Sequence, residues 1–286
     1  MRETVAPEKS PRMVIKEDYG ALVTFTALAP LAVGGLIGLL FAPGYQVETG
    51  IDWAAIVVWV IGLLALAASL FHLGRPWRAP LALRRISTSW LSREILLFGL
   101  FLIALGCYAI LPVLNPSGQT RTILGLAAAI IGLVGTIATG EIYLLHSRPS
   151  WDQWLAVVSF PLGALSAGSL FGFFVARRFS GRSEVASFVW MGVAVLLVST
   201  LVVTWFRSTH HHPGSKEGRL SRQLVLGPYL WLLVVRLAAI AASILLLGIG
   251  GEAHFLAWVP ALIGEFADRI LFFNSVVPVT LRGRYI

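Results

Sequence analysis

His72 and Glu94 are the two side chains in this sequence best suited to proton chemistry. His72 ends one long apolar stretch and Glu94 begins the next, so an antiparallel helical hairpin places both at the same end. An imidazole titrates near neutral pH, and a partly buried carboxyl can exchange protons in the same range, so the pair can pass a proton to and from a quinone oxygen. Arg75 and Arg93 flank the pair and can stabilise negative charge on a reduced quinone. The alternative is a helix end covered by arginines, with a histidine whose hydrogen bonds are satisfied.

Other ionisable side chains lie deep within apolar stretches, where each costs about 2.5–3.5 kcal/mol and is a candidate for function. Arg236 is about ten residues into the seventh stretch and needs a carboxylate or a polar ligand. A functional role and structural pairing with a neighbour are both open for it. Glu265 and Arg269 are four residues apart in the last stretch, so they can neutralise each other on one helix face.

The elements that must position these residues are membrane helices. Of the 286 residues, 57% are hydrophobic and 13% are charged, and the mean hydropathy is +0.81. A soluble domain has about 45–50% apolar and about 25% charged residues, so this composition excludes that class. A single cysteine, Cys107, excludes a disulfide scaffold. The net charge of +8 does not indicate nucleic-acid binding, because the basic residues lie at the ends of the apolar stretches.

We therefore predict an all-α polytopic membrane protein, a bundle of eight transmembrane helices. About 20 apolar residues cross a bilayer, and turn-forming residues separate the stretches. The first 19 residues form a polar arm, residues 20–273 form the membrane domain and residues 274–286 form a tail. The predicted spans are 20–41, 53–73, 90–111, 122–145, 151–175, 184–206, 225–247 and 254–273.

The distribution of Lys and Arg predicts the orientation. One side, which includes both termini, carries 15 basic residues, and the opposite side carries four. Because basic loops remain in the cytoplasm, we expect both termini, and the His72–Glu94 end, to be cytoplasmic in a multi-pass protein of the inner membrane.

Haem and metal sites are not expected. His72 and His146 lie at or beyond helix ends, where a haem with two axial histidines would be poorly covered. The run 210–212 consists of three histidines in a polar loop without carboxylate or cysteine partners. The sequence also lacks a phosphate-binding loop, a paired-cysteine motif and a recognisable hydrolase nucleophile, so no catalytic residue is assigned.

Two neighbouring motifs carry a family resemblance: HLGRPWRA at residues 72–79 and SWLSREI at residues 89–95. Together they resemble the anchor subunit of dimethyl sulfoxide reductase, the DmsC family, and the likeness extends over essentially the whole sequence. The further segments that agree in order and spacing are 24–35, 142–143, 148–151, 236–237 and 265–273.

The resemblance implies an eight-helix anchor without haem, which exchanges electrons with menaquinone or ubiquinone in anaerobic respiration. It implies two partners, an iron–sulfur subunit and a molybdopterin catalytic subunit, so that this protein reacts with quinone and contains no redox centre of its own. His72 and Glu94 would form the quinone site, and Tyr143 and Arg236 are further candidates for quinone binding.

The charge distribution here differs from that of the best-known members, whose charged loops lie mainly opposite the hairpin. A hairpin on the cytoplasmic side implies cytoplasmic catalytic subunits. Related complexes that oxidise sulfite in the cytoplasm and reduce quinone use similar anchors. The resemblance is therefore at least as consistent with a sulfite:quinone oxidoreductase as with a sulfoxide reductase. Two other functions stay open. One is a secondary transporter that uses Arg236 and Glu94 and has no redox partner, although no internal repeat supports it. The other is an assembly factor without a quinone site.

Overall fold

The computed structural model describes residues 19–42, 45, 47, 49–71, 79–114, 118–180, 187–209 and 215–279. All regular secondary structure within these ranges is helical. Helical turns of three to five residues accompany nine longer helices. The nine are α1 (Gly20–Leu40), α2 (Trp53–Phe71), α3 (Trp90–Ile110), α4 (Gly118–Ile142), α5 (Trp154–Gly163, continued as Ser169–Ser180), α6 (Ser187–Thr209), α7 (Lys216–Leu226), α8 (Leu230–Ile249) and α9 (Trp258–Asn274).

Seven of the helices in the described ranges are long and apolar enough to cross a membrane: α1 to α6 and α8. This confirms a multi-pass all-α protein. The predicted eighth span corresponds to α9, which has 17 residues and includes Glu265, Asp268 and Arg269. It is shorter and more charged than the other seven, so a count of eight spans stays a prediction.

Helix α7 lies between two spans and is amphipathic. Its buried face consists of Gly218, Ser221 and Val225, while Arg219 and Arg222 are exposed. The sequence-predicted span 225–247 begins too early, because Gly227 and the two residues after it interrupt the helix and α8 starts at Leu230. Hydropathy alone does not show this break, because Val225 and Leu226 extend the apolar stretch back into α7.

The core is built around α1, whose residues are mostly buried. Gly34 and Gly38 lie against Gly168 and Gly172 of α5, and a Cβ atom at any of the four positions would overlap the facing backbone. Small residues four apart on both helices allow this close approach, as at other tight membrane-helix crossings. In α5, one π-helical turn at Ala164–Gly168 lies next to the crossing.

Several helix ends meet at one end of the bundle, which we call the Glu94 end. It contains the start of α3, the end of α4, the start of α5, the end of α6 and the end of α9. Contacts join these ends: Thr139 of α4 bonds Glu94 of α3, and Trp151, just before α5, donates to the Phe272 carbonyl of α9 at 2.9 Å. Of the sequence-predicted site residues that the structure describes, Arg93, Glu94 and Tyr143 lie at the Glu94 end.

Candidate functional site

Glu94 lies one turn into α3 and is buried. The helix begins just before it because the Ser89 hydroxyl accepts a hydrogen bond from the Ser92 amide, which satisfies a free N–H of the first turn. The Thr139 hydroxyl of α4 donates to Glu94 Oε1 at 2.5 Å. In the part of the chain that the structure describes, no cation pairs with Glu94. Within the described ranges, one neutral hydroxyl holds the carboxyl in place, and a buried carboxyl without a cation partner there is a candidate for proton uptake and release.

Tyr143 immediately follows α4 and lies within electrostatic range of Glu94 and of Arg269. Its ring is buried in a cluster of aromatic side chains from three segments of the protein. The ring centroids of its neighbours lie between 5.3 and 5.8 Å from its own; they belong to Trp151, Phe160, Phe272 and Phe273. The cluster fixes the ring of Tyr143 at the same end of the bundle as the Glu94 carboxyl.

Of the other three residues of the predicted hairpin site, the structure describes Arg93. His72 and Arg75 lie outside the described residues, so their juxtaposition with Glu94 stays a prediction. Arg93 donates to the carbonyl oxygens of Ile86 and Ser87 at 3.0 and 2.8 Å, and its guanidinium stacks on the Trp90 ring at 4.2 Å. In this position Arg93 fastens the preceding loop to the start of α3.

Arg236 is buried in α8 and pairs with Glu265 of α9, with Nη2 2.7 Å from Oε1. Glu265 also pairs with Arg269 at 3.4 Å, so the predicted four-residue pair is confirmed. Arg269 further donates to the Ser159 hydroxyl and carbonyl, both at 3.3 Å, and stacks on the Phe160 ring. The need of Arg236 for a carboxylate is therefore met within the protein.

A second buried pair extends this group of charges. Arg207, near the end of α6, bonds Asp268 of α9, and Arg269 lies 3.7 Å from the same carboxylate. Arg207 lies just beyond the predicted span 184–206, and hydropathy could not single it out because hydropathy does not show which helix a side chain faces. The α9 charge network therefore has five members: Arg207, Arg236, Glu265, Asp268 and Arg269.

A separate charged cluster, which the sequence analysis missed, lies at the opposite end of the bundle. Asp52 precedes α2 and accepts bonds from the Ala55 amide at 2.9 Å, from the Tyr45 phenol and from Arg121 of α4. Burial, and then the Asp52 carboxylate, raise the pKa of Tyr45, which keeps the phenol protonated as a donor. Arg121 also stacks on the Tyr108 ring. An aspartate immediately before an apolar stretch is a helix-cap signal that could have identified Asp52.

Metal ligands are not grouped within the described ranges, which contain no set of three or more His, Cys, Asp or Glu side chains arranged to hold a metal ion. Of the sequence-predicted site residues that the structure describes, Glu94 and Tyr143 have buried side chains at the Glu94 end that can hydrogen-bond a ligand.

Comparison with known proteins finds relatives that are named as chains or subunits of a reductase and a dehydrogenase. It is 30% identical over 155 residues to the C chain of anaerobic dimethyl sulfoxide reductase from Haemophilus influenzae, a match covering 51% of this protein and 54% of the relative. It is 24% identical over 264 residues to the YnfH chain of anaerobic dimethyl sulfoxide reductase from Escherichia coli, covering 88% and 93%.

The C subunit of sulfite dehydrogenase from Allochromatium vinosum is 28% identical over 138 residues, covering 44% of this protein and 41% of the relative. The matches with the H. influenzae and A. vinosum proteins thus span about half of those proteins or less. Residues 18–273 match the family described as DMSO reductase anchor subunit (DmsC). This match covers nearly the whole sequence, including both helices of the hairpin, and the protein therefore belongs to the DmsC family of anchor subunits.

Proposed function

We propose that this protein is the quinone-reacting membrane anchor of a molybdopterin oxidoreductase complex. In this role it exchanges electrons between a membrane quinone and an iron–sulfur partner subunit, which connects it to the catalytic subunit. Membership of the DmsC family supports the anchor role. Its relatives are named as one chain of a dimethyl sulfoxide reductase and one subunit of a sulfite dehydrogenase, which supports a multi-subunit complex.

The observation that carries the quinone site is the environment of Glu94. Glu94 is buried near the end of a membrane helix, with a hydroxyl as its hydrogen-bond donor. Burial of a carboxyl there costs free energy, which makes Glu94 a candidate for function. Such a group can take up a proton from one side and release it to a ligand on the other. We propose that Glu94 and His72 perform this exchange, with Tyr143 as a second hydrogen-bonding group.

The residues present fit a quinone headgroup in their chemistry. A quinone has two carbonyl oxygens that accept hydrogen bonds, and Glu94, Tyr143 and His72 can each donate one when protonated. When bound, the quinone supplies two-electron, two-proton chemistry, while this protein supplies position and protons. Arg236 contributes least to this proposal, since Glu265 binds its guanidinium. Arg75 and Arg93 remain candidates for the rim of the site.

We propose further that the iron–sulfur partner binds at the Glu94 end, on the cytoplasmic side. The excess of basic residues at this end, 15 against four, supports the orientation. Electron transfer to a quinone also requires the partner to lie over the site. A cytoplasmic catalytic subunit favours the sulfite-oxidising type, to which the A. vinosum relative's name belongs.

Purification of the tagged full-length protein from its native membrane tests the complex. We expect an iron–sulfur protein and a molybdopterin subunit to accompany it. Recovery of the protein alone, from a preparation that preserves other respiratory complexes, would contradict the anchor role and favour the transporter.

Two carboxyl variants of the complex test the site. We expect Glu94→Gln to stop quinone-linked turnover with sulfite or dimethyl sulfoxide, while turnover with an artificial electron carrier continues. Glu252→Gln is the matched control, because Glu252 forms an exposed ion pair with Arg177 at the opposite end. Normal quinone-linked turnover in Glu94→Gln would refute the assignment.

A further inference from the structure

A small cavity of about 10 Å³ lies beside the α9 charge network at the Glu94 end. The polar residues that line it are Arg207 and three serines. The serines come from three places in the sequence: Ser150 from the loop before α5, Ser208 from the end of α6 and Ser275 from just after α9. The cavity therefore has room for one ligand of about the size of a water molecule.

Two polar atoms of the lining are buried without a hydrogen-bond partner among the described residues. They are Arg207 Nη1 and Ser150 Oγ, and both side chains are about 4% exposed. The other terminal nitrogen of Arg207 bonds Asp268. Buried polar groups are almost always hydrogen-bonded, and a guanidinium N–H can only donate. A ligand that completes this site must accept a hydrogen bond from Arg207, and the Ser150 hydroxyl can donate a second one.

The charge of the network decides between a neutral and an anionic ligand. Arg207, Arg236 and Arg269 face two carboxylates, Glu265 and Asp268, and no further acidic group of the described residues contacts the three arginines. Among the described residues, one positive charge of this buried network is therefore uncompensated. Burial of an uncompensated charge is strongly unfavourable. A water molecule would satisfy the hydrogen bonds but leave this charge unbalanced, whereas an anion would do both.

We infer that the cavity binds a monatomic anion such as chloride, which accepts hydrogen bonds from Arg207 and Ser150 and neutralises the α9 charge network. The anion joins the loop before α5 to the ends of α6 and α9. Its bond to Arg207 also places it next to the ion pair that holds α6 to α9. The site is separate from Glu94 and does not depend on the proposed quinone reaction.

Equilibrium binding of radiolabelled chloride to the purified full-length protein tests this site. We expect one saturable site per molecule, and an affinity at least about tenfold lower in Ser150→Ala, since a hydrogen bond to a charged group contributes about 1.5–3 kcal/mol. Ser243→Ala is the matched control, because Ser243 is buried in α8 and bonds only backbone carbonyls, of Ala239 and Ala257. Absence of saturable binding, or binding unchanged in Ser150→Ala, would overturn the inference.

A stability measurement gives an independent readout. The melting temperature of the wild-type protein should be higher in chloride or bromide than in gluconate at equal ionic strength, and this difference should shrink in Ser150→Ala. Equal melting temperatures in the two salts would mean that water occupies the cavity, which contradicts an anion site.

Discussion

Replacement of Asp52 by Asn should be among the most destabilising single-atom changes in this protein. Asn keeps one acceptor oxygen for the Ala55 amide and the Tyr45 phenol, but it places an NH₂ group against the Arg121 guanidinium. Two donors then face each other, and Arg121 stays buried without its carboxylate. Its Nε already has no hydrogen-bond partner among the described residues, so no other acceptor there replaces the lost one.

The size of the effect follows from these contacts. Loss of one buried charge-assisted hydrogen bond costs about 1.5–3 kcal/mol, and a buried charge left without its partner costs about 3–5 kcal/mol. The Tyr108 ring, 4.3 Å from the guanidinium carbon, contacts Arg121 in both proteins and therefore does not change this difference. We therefore expect the free energy of unfolding to fall by about 3 kcal/mol. Tyr45→Phe removes only one hydrogen bond and should cost about 1 kcal/mol.

Reversible unfolding in mixed detergent micelles, followed by tryptophan fluorescence, measures this change. The double variant Asp52→Asn, Arg121→Gln removes both charges and should be clearly more stable than the sum of the two single losses predicts. Quinone-linked turnover per folded molecule should be unchanged, since the cluster lies at the opposite end from Glu94. An effect of Asp52→Asn below about 0.5 kcal/mol, the range of ordinary surface substitutions, would refute the reasoning.

Three further predictions concern helix packing and the Glu94 environment. Gly38→Ala should lower the free energy of unfolding by about 1–3 kcal/mol, because the added Cβ overlaps the α5 backbone. Position 192 faces open space, so Gly192→Ala should be neutral or slightly stabilising in the same unfolding assay. Arg236→Met should cost about 1.5–3 kcal/mol, because Glu265 loses its 2.7 Å bond to Arg236 but keeps Arg269 as a partner. An unchanged free energy of unfolding in the same assay would contradict this prediction. Thr139→Val removes the hydrogen bond to Glu94 and should lower quinone-linked turnover while leaving the amount of assembled complex unchanged, as measured by partner co-purification.

Much of the architecture could be predicted from the sequence because membrane spans depend on local composition. Seven of the eight predicted stretches are helices of spanning length, with ends mostly within a few residues of the prediction. The pairing of Glu265 with Arg269 was also predictable, since four-residue spacing places both on one helix face. Local signals of this kind need no knowledge of which helices are neighbours.

Contacts between helices could not be predicted in the same way. Thr139 and Glu94 are 45 residues apart, and Asp52 and Arg121 are 69 apart, so neither pair leaves a periodic signal in the sequence. The charges of α9 reduce its mean hydropathy, although in the structure they are buried and paired with other helices. Hydropathy measures the composition of a helix and does not show whether its charges face lipid or protein.

We propose that Glu94 transfers protons to and from a bound quinone. The most direct measurement is a single-turnover experiment on the purified complex, in which a quinone or quinol is mixed with the complex and the redox state of the iron–sulfur partner is followed by its absorbance. Because general acid–base catalysis contributes about 10²–10⁴-fold, we predict that Glu94→Gln slows this step at least about 100-fold, while Glu252→Gln leaves it unchanged. An equal rate in Glu94→Gln and wild type would contradict the account.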